Sequence, residues 1–270
     1  MSEEIKMIEL AKKLDLSADI IEKLEKLLSD KSEKVNKYAE MCISSGFHHL
    51  RGKSGLFNLA VILKLACDVK RKYDYAGIDE KVYYDTMSDI KIWCDKTGGN
   101  GLENYVWLKN HVNFELFRLG RLQFQFYECK NKTLIYGKLP FAYGDKLIYV
   151  HIPEGESLAE EKCRASFDEA KEFFSRYFPD YEYKYYFCES WLLFEDNKEF
   201  MAKDSNILKF MSLFDIRYSV KIDMQAIERI FGKRCLFKKK YSEKTALQRS
   251  AKKYLLDGNK LGVGIGVRKA

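Results

Sequence analysis

Tyr149-Val150-His151-Ile152-Pro153-Glu154-Gly155-Glu156-Ser157-Leu158-Ala159-Glu160 is the stretch that decides the fold. It continues an apolar run, Leu147-Ile148-Tyr149-Val150, which reads as a strand. A polar loop, His151 to Glu156, follows, with Pro153 and Gly155 as turn residues. Ser157 then opens an amphipathic helix that ends at Phe178-Pro179, where proline stops it. Tyr183 to Trp191 reads as a second strand, so the segment predicts a βαβ unit. A helix that begins after such a loop presents unpaired backbone N–H groups and the positive end of its dipole, which suits a phosphate. Ser157-Leu158-Ala159-Glu160 also fits a capping box, which by itself means only a well-made helix start. Glu154 and Glu156 would oppose a phosphate if their side chains faced it.

Before this segment the chain changes character near residue 112. Ile5, Ile8, Ala11 and Leu14 recur at every third position, and Ile20, Ile21, Leu24, Leu27 and Leu28 at three and four. Ser17 is a suitable N-cap for the second helix, and Ser32 to Met41 continues as a polar helix. Ser54 to Tyr75 is apolar on most sides, which predicts the centre of a bundle. Asp79 to Trp93 is one further helix, stopped by Gly98-Gly99-Asn100-Gly101. From Phe114 the pattern alternates, with a bend or bulge expected at Gly120 and another extended piece at Thr133 to Tyr136. After the βαβ unit come helices around Ser205–Phe214, Met224–Phe231 and Thr245–Leu256, strand-like Ile216–Ile222, and a final strand from Leu261 to Val267. The fold class expected is α+β: a helical N-terminal domain, residues 1–112, and a mixed α/β domain, residues 113–270.

Composition narrows the function. No apolar run among the 270 residues approaches the ~20 that span a bilayer. Met1-Ser2-Glu3-Glu4 lacks the order of a signal peptide. Seven cysteines are widely spaced, without a CxxC pair or zinc-ligand spacing, so a reduced, cytoplasmic setting and no metal are expected. Residues 201–270 hold 17 Lys/Arg against 6 Asp/Glu, including Lys233-Arg234 and Lys238-Lys239-Lys240. Such a patch can attract nucleic acid, an anionic membrane or a polyphosphate, or be a solvated basic face.

Several residues are candidates for chemistry. His151 stands at the carboxyl end of a strand, where α/β folds place reactive groups, or it shapes the turn. Glu189 lies in a strand that reads as largely buried; burial raises a carboxylate's pKa and suits a general base. Its plain alternatives are a solvated face or pairing with Arg118 or Arg121. Asp204 or Ser205 caps the helix that holds Asn206. Gly262, Gly264 and Gly266 on one strand face leave room for close packing more readily than they cradle a nucleotide. His48 and His49 are expected to diverge on a helix. No G-x-S-x-G, HExxH, P-loop or kinase signature occurs.

Phe117-Arg118-Leu119-Gly120-Arg121-Leu122-Gln123-Phe124, Val150-His151-Ile152-Pro153, Cys188-Glu189-Ser190-Trp191-Leu192-Leu193 and Ser205-Asn206-Ile207 together resemble a bacterial family of acyltransferase-domain proteins. Asp85-Thr86 with Asp89, Trp93 and Trp107, and Thr245-Ala246-Leu247-Gln248-Arg249, fit the same family. That family has a helical N-terminal domain and a C-terminal domain similar to the GNAT N-acyltransferase superfamily. The resemblance implies a GNAT-like domain with splayed central strands, acyl-CoA or acetyl-CoA as co-substrate, and direct transfer to an amine. By the same implication Val150, Gly155, Glu156, Ser157, Leu158 and Cys188 hold the cofactor, and Glu189 and His151 serve catalysis. Arg118, Arg121, Ser190, Trp191 and Asn206 become candidates for binding the acceptor. The superfamily's pyrophosphate loop, [RQ]-x-x-G-x-[GA], is replaced here by one glycine and two acids. The expected function is an N-acyltransferase using acyl-CoA or a carrier thioester; the alternative is an inactive GNAT-like binding or sensor protein. A small-molecule amine is the expected partner; a membrane is not, and nucleic acid ranks last.

Overall fold

The computed structural model describes residues 2–130 and 139–270. The extended piece expected at Thr133 to Tyr136 lies outside them. The chain divides into two compact units, Met1–Gln125 with Ile152–Gly155, and Phe126–His151 with Glu156–Ala270.

The first unit begins with three helices, α1 (Glu3–Lys13), α2 (Ala18–Ser45) and α3 (Gly55–Ala76). Each starts on a serine, Ser2, Ser17 and Ser54, whose hydroxyl accepts from the backbone N–H of Ile5, Ile20 and Phe57 respectively. Helix α2 absorbs the polar helix expected from Ser32, with non-helical backbone at Lys31 marking the join. Helix α3 is the predicted centre: Leu59 through Leu63 are all fully buried. The expected single helix from Asp79 breaks at Ser88 into α4 (Glu80–Met87) and α5 (Asp89–Asp95). The Ser88 hydroxyl donates to the Asp85 carbonyl at 2.6 Å, and the broken helix leaves Asp89 buried. A short α6 (Lys109–Val112) leads to β1 (Leu116–Leu119) and β2 (Leu122–Glu128). These pair antiparallel, Leu119 opposite Leu122, so Gly120, at φ 61°, sits in a two-residue hairpin turn rather than a bulge. His48 and His49 do not diverge: in a 3-10 turn over Phe47–Leu50 their rings lie 4.0 Å apart, with the His49 ring held 2.7 Å from the Ser45 hydroxyl.

In the second unit the βαβ segment is present as β3 (Lys146–His151), α7 (Glu160–Tyr177) and β4 (Tyr185–Ser190). Strand β3 runs parallel to β4. The rest of the unit adds α8 (Asn197–Phe200), α9 (Asn206–Met211), β5 (Asp215–Val220), α10 (Met224–Phe231), α11 (Ala246–Leu256) and β6 (Val263–Lys269). The order across the sheet is β3-β4-β6-β5, with β6 antiparallel to both neighbours. The end of β2 reaches this unit through Cys129, whose N–H donates to the Asp145 carbonyl at 2.9 Å. Helix α7 covers the sheet with Cys163, Phe167, Ala170 and Phe174, spaced four, three and four residues apart. The Tyr181 hydroxyl lies 2.9 Å from the Tyr127 carbonyl and 3.1 Å from the Leu147 carbonyl, tying the end of β2 to β3. Among the described residues no helix is long and apolar enough to cross a membrane.

Helix α7 starts two residues later than expected, with Ala159 in place of Ser157 at the N-cap, and no side chain caps it. The capping box at Ser157 does not form, since the N-cap position falls on Ala159; the Ser157 hydroxyl accepts from Asn206 Nδ2 at 2.9 Å. A capping box does form at Thr245 and Gln248, at the start of α11.

Candidate functional site

The candidate residues gather where the pairing of β3 and β4 ends. Their paired positions are Ile148 with Tyr186 and Tyr149 with Phe187. Both strands run on, β3 through His151 and β4 through Ser190. Over that same length β4 stays paired with β6, out to Ser190 opposite Gly264. Beyond Tyr149 and Phe187, then, the two parallel strands extend without further paired rungs, with Val150 and His151 on one side and Cys188, Glu189 and Ser190 on the other. Separation at the carboxyl ends of parallel strands is where open α/β sheets admit ligands.

Val150 and Cys188 are buried, and burial pushes the Cys188 thiol far above its ordinary range. Any contribution of Cys188 is therefore through its backbone rather than as a thiolate. His151 is half-buried, its ring tilted against Tyr149 with centroids 4.2 Å apart. Glu189 is exposed, so the burial expected to make it a base is absent. Alternation puts Glu189 on the face of Phe187, which is buried, so that face is covered at Phe187 and open at Glu189.

The remaining candidates divide by what already occupies them. The buried Ser190 hydroxyl accepts from the Leu192 N–H at 3.2 Å, starting a 3-10 turn over Trp191–Leu193. The Trp191 N–H donates to Gln225 Oε1 at 2.7 Å, and its indole packs on the cluster around Ile227 and Tyr254. Ser190 and Trp191 thus shape the end of β4. Asn206 is exposed and holds Ser157 beside the start of α7; Ser205, as expected, caps α9. Arg118 and Arg121 belong to the first unit. Arg118 Nη1 donates to the Ser88 hydroxyl at 3.1 Å, and the buried Arg121 donates to the Pro153 carbonyl at 2.8 Å. Arg121 is therefore an anchor for the loop after β3.

The acidic loop is also less hostile to an anion than its sequence suggests. Glu154 pairs with Lys96 at 2.7 Å and Glu156 with Lys162 at 2.9 Å. Each lysine offsets the charge of one acid, although exposed pairs of this kind contribute little to stability. Lys96 is 58 residues distant from Glu154 in sequence, so nothing in the loop pointed to it. Lys162 lies on the first turn of α7 and was visible only once the helix start was known. Gly155, at φ 99°, takes a backbone conformation that favours glycine, with open space where a side chain would stand. The N–H groups opening α7 have no side-chain cap.

The glycine strand is a packing device, as expected. A Cβ at Gly262 would lie 2.3 Å from the Val220 carbonyl oxygen, and one at Gly264 would lie 1.9 Å from that of Leu193. In the first unit the sequence reading missed a buried polar cluster: Asp89 Oδ2 accepts from Trp107 Nε1 at 2.8 Å and lies 3.1 Å from His111 Nε2. Trp107 lies in the turn before α6 and His111 within α6, four residues on, and that spacing was the available signal.

Two family models match the chain: an N-acyltransferase N-terminal domain over residues 6–114 and a GNAT-like C-terminal domain over residues 116–268. Solved structures share the fold. One acyltransferase in complex with decanoyl-CoA superposes with a TM-score of 0.77 at 22% identity, over 97% of this chain and 86% of that one. An acyltransferase with decanoyl-CoA and teicoplanin gives 0.75 at 20% identity, and one with CoA and 10C-teicoplanin gives 0.74 at 20%, with the same coverage. No curated protein matches by sequence. The chain belongs to the family of the GNAT-like C-terminal domain, which it carries behind an N-acyltransferase N-terminal domain.

Proposed function

We propose that this protein is an acyl-CoA-dependent N-acyltransferase, with the acyl-transfer chemistry in residues 113–270 and residues 1–112 as its helical partner domain. The observation that carries the reading is the end of β3–β4 pairing at Tyr149 and Phe187 while both strands continue. The unpaired backbone beyond that rung offers the pantetheine amides the hydrogen bonds of an added strand. The backbone N–H groups of Glu156, Ser157 and Leu158, with the uncapped first turn of α7, would take the pyrophosphate, and Lys162 offsets the charge of Glu156. The fold neighbours hold decanoyl- and octanoyl-CoA, which supports a medium-chain donor. One of them holds teicoplanin, which supports a small-molecule acceptor.

In the reaction the acceptor amine attacks the thioester carbonyl, forming the C–N bond and a tetrahedral oxyanion. Backbone N–H groups at the strand separation stabilise that charge. Collapse breaks the C–S bond and releases the CoA thiolate, which takes a proton. Glu189, exposed on β4, accepts the amine proton through water, with His151 as its polar partner or substitute. The seven cysteines are all free, consistent with the cytoplasmic setting in which acyl-CoA is used.

The test is decanoyl-CoA turnover against a panel of amines, followed by CoA thiol release. Glu189→Gln is expected to lower the rate at least ~100-fold, as removal of a general base does, while calorimetry shows unchanged CoA binding. Unchanged turnover would sink the role of Glu189. The exposure of Glu189 also favours a second reading, a GNAT-like binding protein without chemistry. That reading requires CoA binding with no transfer to any amine tested.

A further inference from the structure

We infer that the segment Lys233-Arg234-Cys235-Leu236-Phe237-Lys238-Lys239-Lys240 is a docking site for an anionic lipid surface. Gly232, at φ 80°, ends α10 and turns the chain outward. The two apolar residues that follow are left in solvent: Leu236 is 91% exposed and Phe237 59%. Ile222, 57% exposed, and Met224, 68% exposed, flank Asp223, whose carboxylate lies 3.9 Å from Arg234 Nη2. Lys238 pins the loop by donating to the Leu255 carbonyl at 2.7 Å, and Lys240 sits 5.4 Å from the Phe237 ring. Lys233 and Lys239 are exposed, with no ion-pair partner among the described residues. No Asp or Glu occurs from residue 229 to residue 242.

The combination selects the occupant by its chemistry. A phosphodiester backbone satisfies the lysines but offers Leu236 no escape from water. An anionic bilayer surface satisfies both at once: apolar side chains enter the boundary between headgroups and acyl chains while ammonium groups stay at the phosphates. Apolar insertion and a basic patch act together, since either signal alone gives only marginal surface binding. That no helix among the described residues is long and apolar enough to cross a membrane does not bear on such a surface contact.

The test is co-sedimentation of the full chain with phosphatidylcholine vesicles, with and without phosphatidylserine, in the absence of acyl-CoA. The wild-type chain should partition to the anionic vesicles and not to the neutral ones. Leu236→Ser with Phe237→Ser, and separately Lys233→Glu with Lys239→Glu, should each lower partitioning by about tenfold or more, with unchanged far-ultraviolet circular dichroism because all four residues are exposed. No partitioning of the wild-type chain overturns the inference. So does binding that survives loss of Leu236 and Phe237, or tighter binding to duplex DNA or to an acidic carrier protein at the same salt. None of these outcomes involves acyl transfer, so failure here leaves the proposed reaction standing.

Discussion

Gly264→Ala should unfold the second unit at much lower denaturant than the wild-type chain. Gly264 sits mid-sheet, opposite Ser190 of β4 on one side and Ser219 of β5 on the other. An added Cβ would lie 1.9 Å from the Leu193 oxygen, 2.3 Å from its carbonyl carbon and 3.0 Å from the Phe194 nitrogen. An unstrained C···O contact is about 3.3 Å, so one backbone segment must move by more than ~1 Å. Neither is free to do so. Strand β6 is paired on both edges, and the 3-10 turn is held by Trp191 on Gln225, by Asn197 on the Trp191 carbonyl at 2.9 Å, and by Ser190 on Leu192. Overpacking costs about 1–3 kcal/mol and each ladder hydrogen bond lost about 1 kcal/mol more. The gain from a stiffer unfolded chain offsets only about 0.4–1 kcal/mol. The net expectation is a loss of about 3 kcal/mol. Gly266→Ala is the internal comparison: its nearest neighbour is the Phe214 Cβ at 2.8 Å, which moves only with its backbone, followed by the Leu193 and Ile216 Cδ1 tips at 3.0 and 3.2 Å, which can shift, so a smaller overpacking loss of about 1–2 kcal/mol is expected. Urea unfolding with a constant m-value reads both. If Gly264→Ala falls within about 0.5 kcal/mol of wild type, or costs less than Gly266→Ala, the close-packing argument is wrong.

The Asp89 cluster predicts acid sensitivity. Burial pushes its carboxyl up, but the hydrogen bond and charge of His111, with the bond from Trp107, outweigh burial and lower it from 3.8 to about 2. A folded-state pKa below the unfolded one contributes stability that is present above pH 3.8 and lost as pH falls through about 2, roughly 2 kcal/mol in all. Asp89→Asn should remove that component, so a variant with the wild-type slope of urea midpoint against pH would refute the assignment. Lys162→Ala should weaken CoA binding by no more than about fivefold, the scale of an exposed ion pair, and Glu156→Gln should restore or tighten it; calorimetry showing the opposite order would remove the loop from the site. Cys188, fully buried with its thiol pushed far up, should resist iodoacetamide in the folded chain and react only after unfolding, as peptide mass mapping would show.

The sequence by itself determined what local chemistry determines. Ser17 and Ser205 cap helices because the hydroxyl and its acceptor N–H lie within one turn. Met224–Phe231 is helical over the span its apolar spacing marks, and the βαβ unit follows from its alternation of patterns. Even the packing role of Gly262, Gly264 and Gly266 was legible, since a strand that discards side chains at every second position must meet a close neighbour. Tertiary structure alone decided the rest. Ser157 meets Asn206, 49 residues away, while the cap position falls on Ala159, and Glu189 is exposed although Phe187 on the same face of β4 is buried. Lys96 reached Glu154, and Asp89 found His111, across separations that no periodicity records. The place where β3 and β4 part is likewise a property of two strands and the partners on their edges, because hydrogen bonds and charges act through space while sequence patterns report only neighbours along the chain.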